Sequence, residues 1–182
     1  MESRAGALAA LSLLAAMSCA DTRLARLETA LDARDSATAT LAQWCERRHF
    51  ADPPRIVARP VAGAVATEPA DARRLLDIAP AAQLGFRHVE LACGSRVLSV
   101  ARNWYVPARL TPDMNDTLAH SQVPFGKVAA PLGYRREPLV SRRGAAEGCP
   151  AGTVLTHRAM LRLPDGHPLA LLVECYQRAA IE

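Results

Sequence analysis

The sequence predicts an α+β domain in which helices pack on an antiparallel β-sheet of about six strands. Three observations lead there. Two pairs of apolar segments are joined by tight-turn sequences: 86–92 to 97–106 through Cys93-Gly94-Ser95, and 154–163 to 169–176 through Pro164-Asp165-Gly166-His167. Helical spacing precedes these hairpins and recurs between them, the arrangement of segregated helices and strands. Half of the 182 residues are hydrophobic, enough to bury one sizeable core and to form a single domain.

Taken in order, the elements begin with Leu24, Leu27 and Leu31 at helical spacing. A second helix follows, capped by Asp35 or Ser36, with Leu41, Trp44 and Cys45 as its apolar stripe to about Arg48. Asp52-Pro53-Pro54 breaks the pattern, and 55–59 then reads as an edge strand ending at Pro60. From 62 to 80 the chain is an Ala- and Pro-rich connecting arm in which only 71–77 looks helical. After the first hairpin, Thr111-Pro112-Asp113 gives an N-cap, a proline at the first helical position and an acid in the first turn, so a helix runs to about His120. Pro124-Phe125-Gly126 reads as a loop in which Gly126 lets backbone approach a ligand, or as an ordinary turn. A strand over 133–140, a Gly- and Arg-rich loop with Cys149-Pro150, and the second hairpin complete the domain.

Ahead of this domain, Arg4, an apolar run from Ala5 to Met17, and Ser18-Cys19-Ala20 have the layout of a secretory signal peptide, so 1–20 is expected to be a leader and 21–182 the mature domain. The run is too short for a stable membrane span. Residues 16–19 also loosely resemble a lipoprotein box, giving a lipid anchor at Cys19 as one alternative and a cytoplasmic alanine-rich helix as another. Export to the periplasm or beyond leaves Cys45, Cys93, Cys149 and Cys175, which allow three pairings under oxidising conditions; at most a structural disulfide is expected, and Cys93 and Cys175, in or beside strands, also read as buried thiols. Their spacing does not suit zinc, so no metal is expected. The 22 basic and 18 acidic side chains give +4, which favours anionic ligands; Arg135, Arg136, Arg142 and Arg143 lack interleaved aromatics and read as a solvated rim rather than a nucleic-acid surface. A monomer is expected.

Two charged residues stand out inside apolar strands. Arg87 shares a face with Val89 and Leu91, and Glu174 lies in 169–176, apolar on both faces as a central strand is. A buried carboxylate needs a partner or a proton. The pair can simply neutralise each other, or Arg87 can present its planar fork to a substrate carboxylate while Glu174 holds a proton or meets a hydroxyl. His157, inward with Ala159 and Leu161, is a satisfied core histidine or an assisting group.

The ordered string Asp35-Ser36-Ala37-Thr38, Arg87-x-Val89-x-Leu91, Cys93-Gly94, Val106-Pro107, Pro124-Phe125-Gly126, Thr156-His157-Arg158 and Glu174 resembles the chorismate pyruvate-lyase family over about residues 35–178. The stretch from Asn103 to Asn115 is more similar to an exported, poorly characterised branch of that family. The resemblance implies a six-stranded antiparallel sheet and a closed pocket between sheet and helical flaps. It implies Arg87 on the carboxylate of 4-hydroxybenzoate, Glu174 at the hydroxyl end, and backbone contacts from the loop of Phe125 and Gly126. Phe125 replaces the family's Leu, and Ala37 stands where a flap Met is typical, leaving a smaller cover. Release of pyruvate with aromatisation of the ring needs no metal or redox cofactor, only orientation of the dianion. A lyase acting on chorismate is one expectation; a non-catalytic envelope protein binding a small aromatic carboxylate is the alternative, and a module with a vestigial pocket is a third.

Overall fold

The computed structural model describes residues 20–182 apart from 64 and 66. Residues 1–19, in which the leader is expected, lie outside the described residues. Helix α1 covers residues 20–32 and α2 Ala37–Arg47, followed by β1 Ile56–Pro60, α3 Ala72–Leu75, β2 Gly85–Cys93, β3 Arg96–Tyr105, α4 Pro112–His120, α5 Phe125–Ala129, β4 Arg135–Arg143, β5 Thr153–Arg162 and β6 Pro168–Gln177. The six strands form one sheet in the order β1-β2-β3-β6-β5-β4, and every neighbouring pair is antiparallel. The domain is therefore α+β with a six-stranded antiparallel sheet and helices packed on it.

Local sequence sets most of these elements. Ser36 accepts a hydrogen bond from the Ala39 N–H, and Thr111 from the Met114 N–H, so α2 and α4 begin where their caps are. The strand carrying Glu174, apolar on both faces, is β6, flanked by β3 and β5 in the middle of the sheet. Strand β1, bounded by prolines, is an edge. Pro124-Phe125-Gly126 differs from its reading as a loop or turn: Pro124 is the N-cap of α5, because its extended backbone feeds a helical turn directly.

One face of the sheet is covered in two halves. Leu24, Leu27 and Leu31 of α1 and Leu41 of α2 pack on Val89, Leu91 and Ala101 at one end. Phe125, Val128 and Ala129 of α5 and Leu118 of α4 pack on Leu161, Ala170 and Leu172 at the other. The arm and α3 cover part of the second face through Ala72 and Leu76 against Trp104, Met160 and Leu171.

Cys45, Cys93, Cys149 and Cys175 form two bridges. Cys45 of α2 joins Cys93 at the end of β2, and Cys149 of the loop after β4 joins Cys175 in β6. They span 48 and 26 residues, for which loop-closure entropy gives about 4 and about 3.5 kcal/mol. The double variant Cys45→Ala, Cys93→Ala is expected to lose about 4 kcal/mol in denaturant unfolding, and thiol alkylation of the unfolded native protein should leave all four of these residues unmodified.

Candidate functional site

The two covered halves do not quite meet. Between them lies a cavity lined on the sheet side by Val89, Leu91, Ala101, Asn103, Leu161, Leu172 and Glu174, and roofed by 35–38 at the start of α2 and by Phe125 and Gly126 at the start of α5. Tyr134 and Arg136 close one side. Its volume is about 30 Å³, far below the ~300–1,000 Å³ of most ligand pockets.

Sheet register explains what faces it. Val89, Ala101, Glu174, His157 and Ser141 stand in one row across five strands, and Arg87, Asn103, Leu172 and Ala159 in the next. Arg87 and Glu174 thus share the covered face, as the period-two reading of their strands requires. They are two strands and two residues apart, about 10 Å across and about 7 Å along, and do not neutralise each other.

The partner of Glu174 is Arg136. Its Nη2 donates to Glu174 Oε2 at 2.6 Å, with both side chains about 95% buried. The Tyr176 hydroxyl donates to the same oxygen at 3.1 Å. Arg136 Nη2 also lies 3.1 Å from His157 Nδ1, and since a guanidinium can only donate, Nδ1 is the acceptor and the imidazole proton sits on Nε2. Burial opposes the charge on Arg136, but Glu174 outweighs it and holds the guanidinium above its ordinary value. Burial, reinforced by Glu174, keeps the Tyr176 phenol protonated far above its usual range. His157 is pushed down by burial, against the opposing pull of Glu174. Arg136 Nε and His157 Nε2 are buried without a hydrogen-bond partner among the described residues.

Arg136 is a correction to the solvated rim: it points inward beside exposed Arg135, and the run of four arginines carries no periodic signal that separates them. Arg87 is also differently employed. Its guanidinium, 8% exposed as a residue, donates to the Val123 carbonyl at 3.0 Å and the Ser121 carbonyl at 3.1 Å. It clamps the link between α4 and α5 and is not among the cavity-lining residues. His157 touches Arg136 and stacks edge-on with Tyr176, ring centroids 5.3 Å apart, beneath the lining. Ala37 and Phe125 lie in the roof; Phe125 packs on Tyr105 at 5.3 Å. Gly126 sits where α5 crosses α2: a Cβ there would stand 3.0 Å from both Thr38 Oγ1 and the Tyr134 hydroxyl. Among the described residues no three His, Cys, Asp or Glu side chains gather as a metal site, and no helix is long and apolar enough to cross a membrane.

This architecture is similar to a class of known domains. The effector domain of PhnF from Mycobacterium smegmatis superimposes with a TM-score of 0.50 at 14% identity, over 67% of this chain and 80% of that one. Intact PhnF from the same organism gives 0.53 at 13% identity over 70% of this chain, which spans only 60% of PhnF. At such identities the likeness is one of fold. No family model matches the sequence. In sequence the chain is 37% identical over 166 residues to the uncharacterized protein y4mC of Sinorhizobium fredii, covering 81% of this chain and 70% of that protein. The chain belongs to the y4mC family.

Two measurements probe the buried pair. Arg136→Met or Glu174→Leu alone is expected to cost about 3–5 kcal/mol, because each strands its partner's charge, while the two together cost clearly less than the sum; a double-mutant cycle by urea unfolding reads this. For pH, the folded pKa of His157 lies below its unfolded value, so the unfolded chain binds more protons as pH falls. Stability is full above about 6.5 and is lost as pH falls from there through the lowered folded value. His157→Asn keeps an acceptor for Arg136 and should flatten that slope, leaving the part due to His88, also lowered by burial.

Proposed function

We propose that the domain binds a small aromatic carboxylate of the 4-hydroxybenzoate type in the seam cavity, as a binding module. The observation that carries this reading is the composition of the seam: a fully formed ion pair, apolar walls from Leu91, Ala101 and Leu172, and a roof made by the starts of α2 and α5. A phenolic hydroxyl suits Glu174, whose two hydrogen bonds both fall on Oε2. The ring lies along the apolar wall. The carboxylate then lies toward Arg87, in the next row of the covered face.

A ring does not fit until α5 withdraws from α2. That motion carries the link over residues 121–124 with it, so Arg87 exchanges two carbonyl oxygens for the ligand's carboxylate and takes the role that the resemblance to chorismate pyruvate-lyases assigns to it. Ala37 and Phe125 cover the ring, Gly126 sets the spacing of the flaps, and His157 holds Arg136 in place. The likeness to a domain described as an effector domain supports binding over catalysis. So does Glu174 itself: with its charge matched by Arg136, it is an acceptor for a hydroxyl rather than a proton donor for pyruvate release. Export to an oxidising compartment is part of the reading, because two bridges tie the domain and the first 20 residues have the layout of a leader.

Titration with 4-hydroxybenzoate is expected to raise the melting temperature, benzamide to leave it unchanged, and chorismate to yield no pyruvate. Pyruvate release above background would replace this reading with the lyase. A melting temperature indifferent to 4-hydroxybenzoate would sink both.

A further inference from the structure

We propose that the second face of the sheet carries a separate site for an organic anion with an apolar body, in which Arg102 receives the acid group and Val173 and Val140 receive the body. It does not depend on the seam cavity, which opens on the other face. Sheet register places Arg102, Val173, Arg158 and Val140 in one row across β3, β6, β5 and β4. The row forms the floor of a cleft of about 720 Å³, within the ~300–1,000 Å³ range of small-molecule sites. One wall is the arm at 67–71 and the other the loop at 146–148.

Both walls are built in advance. Asp71 of the arm takes the fork of Arg158, with Nη1 donating at 3.0 Å. In the loop, the Thr156 hydroxyl accepts from the Ala146 N–H at 3.1 Å and donates to the Gly144 carbonyl at 2.8 Å, and Cys149 is bridged to Cys175 of β6. The two guanidiniums then differ in a way that matters. Arg158 is paired with Asp71, whereas among the described residues Arg102 makes no ion pair and feels only the more distant charge of Glu147 on the cleft wall.

Arg102 is nevertheless held in place. It lies over the Trp104 ring, 5.7 Å from its centroid, and its one hydrogen bond goes to the Glu147 carbonyl at 3.3 Å. Gly148 makes the room: a Cβ there would stand 2.4 Å from Arg102 Nη2. A half-buried cation, positioned by a ring and a glycine and left with free donors, is matched by an anion. Beside the two guanidiniums the floor is apolar through Val173 and Val140, and Val140 is 48% exposed at the cleft. A simple inorganic anion would leave that surface wet, so the class is an acid carrying hydrocarbon.

Octanoate is the probe, with the full disulfide-bonded chain titrated by calorimetry. Binding is expected, weakened about tenfold or more by Arg102→Gln, which removes a charge-assisted contact, and similarly by Val140→Glu, a half-exposed position that tolerates the change in folding. Octanol should bind far more weakly than octanoate. No heat with octanoate, or parental affinity in either variant, overturns the proposal. Because 4-hydroxybenzoate is not used, failure here is distinct from failure of the seam site.

Discussion

The buried ion pair between Arg136 and Glu174 is the constraint around which the covered face is arranged. Two charges taken from water cost several kcal/mol each unless geometry and additional hydrogen bonds offset the loss. Tyr176 and His157 supply those bonds from β6 and β5. Arg136 does more than neutralise: its backbone N–H donates to Asp35 at 3.0 Å, immediately before α2. One residue of an edge strand thus joins the central strand through its side chain and the roof helix through its backbone. The start of β4, which has few apolar contacts of its own, is fixed by this polar link.

Sequence reasoning reaches the fold because hairpin turns, caps and period-two alternation are local. Both hairpins, the Thr111 cap, the β1 edge and the central placement of Glu174 follow from residues close in the chain. It also reaches the shared face of Arg87 and Glu174, since parity along a strand is enough. What it cannot reach is the partner of each charge. Arg87 finds carbonyls at 121 and 123, more than thirty residues away, and a backbone acceptor has no residue type to announce it. Arg136 hides in a strand with charges on both faces, where alternation gives no apolar signal. Cysteine pairing depends on which strands become neighbours, which turn sequences alone leave open.

The sheet uses its two faces differently, and alternation along single strands produces the difference. On β3, Ala101 and Asn103 face the seam while Arg102 and Trp104 face the cleft; on β6, Leu172 and Glu174 face the seam while Val173 faces the cleft. A one-residue slip of either strand would exchange the two environments, setting the Glu174 carboxylate in the open cleft and Arg102 in a closed interior. The bridge from Cys149 to Cys175 opposes such a slip of β6, because it ties that strand to the loop that forms a cleft wall.

The same inventory decides which half of the seam can open. Helix α2 is joined to β2 by Cys45 and Cys93, its Trp44 indole Nε1–H donates to the Ala180 carbonyl at 2.7 Å, and Asp35 beside it accepts from the Arg136 N–H. On the opposite side α5 is five residues long and carries no bridge. Its polar ties are the Tyr134 hydroxyl on the Gly126 carbonyl at 3.2 Å and, on the link that precedes it, the Ala58 N–H on the Gln122 carbonyl at 2.7 Å and the two bonds of Arg87. Neutral hydrogen bonds of this kind are worth about 0.5–1.5 kcal/mol each, and those to a charged donor about 1.5–3. For the opening proposed above, the crosslink would hold α2 in place and the α5 side would move, with the two bonds of Arg87 among the polar restraints on it. On the proposed binding reading, Arg87 would act as a latch on that side, because a carboxylate taking over its fork would offset the loss of its two bonds to the link at 121–123.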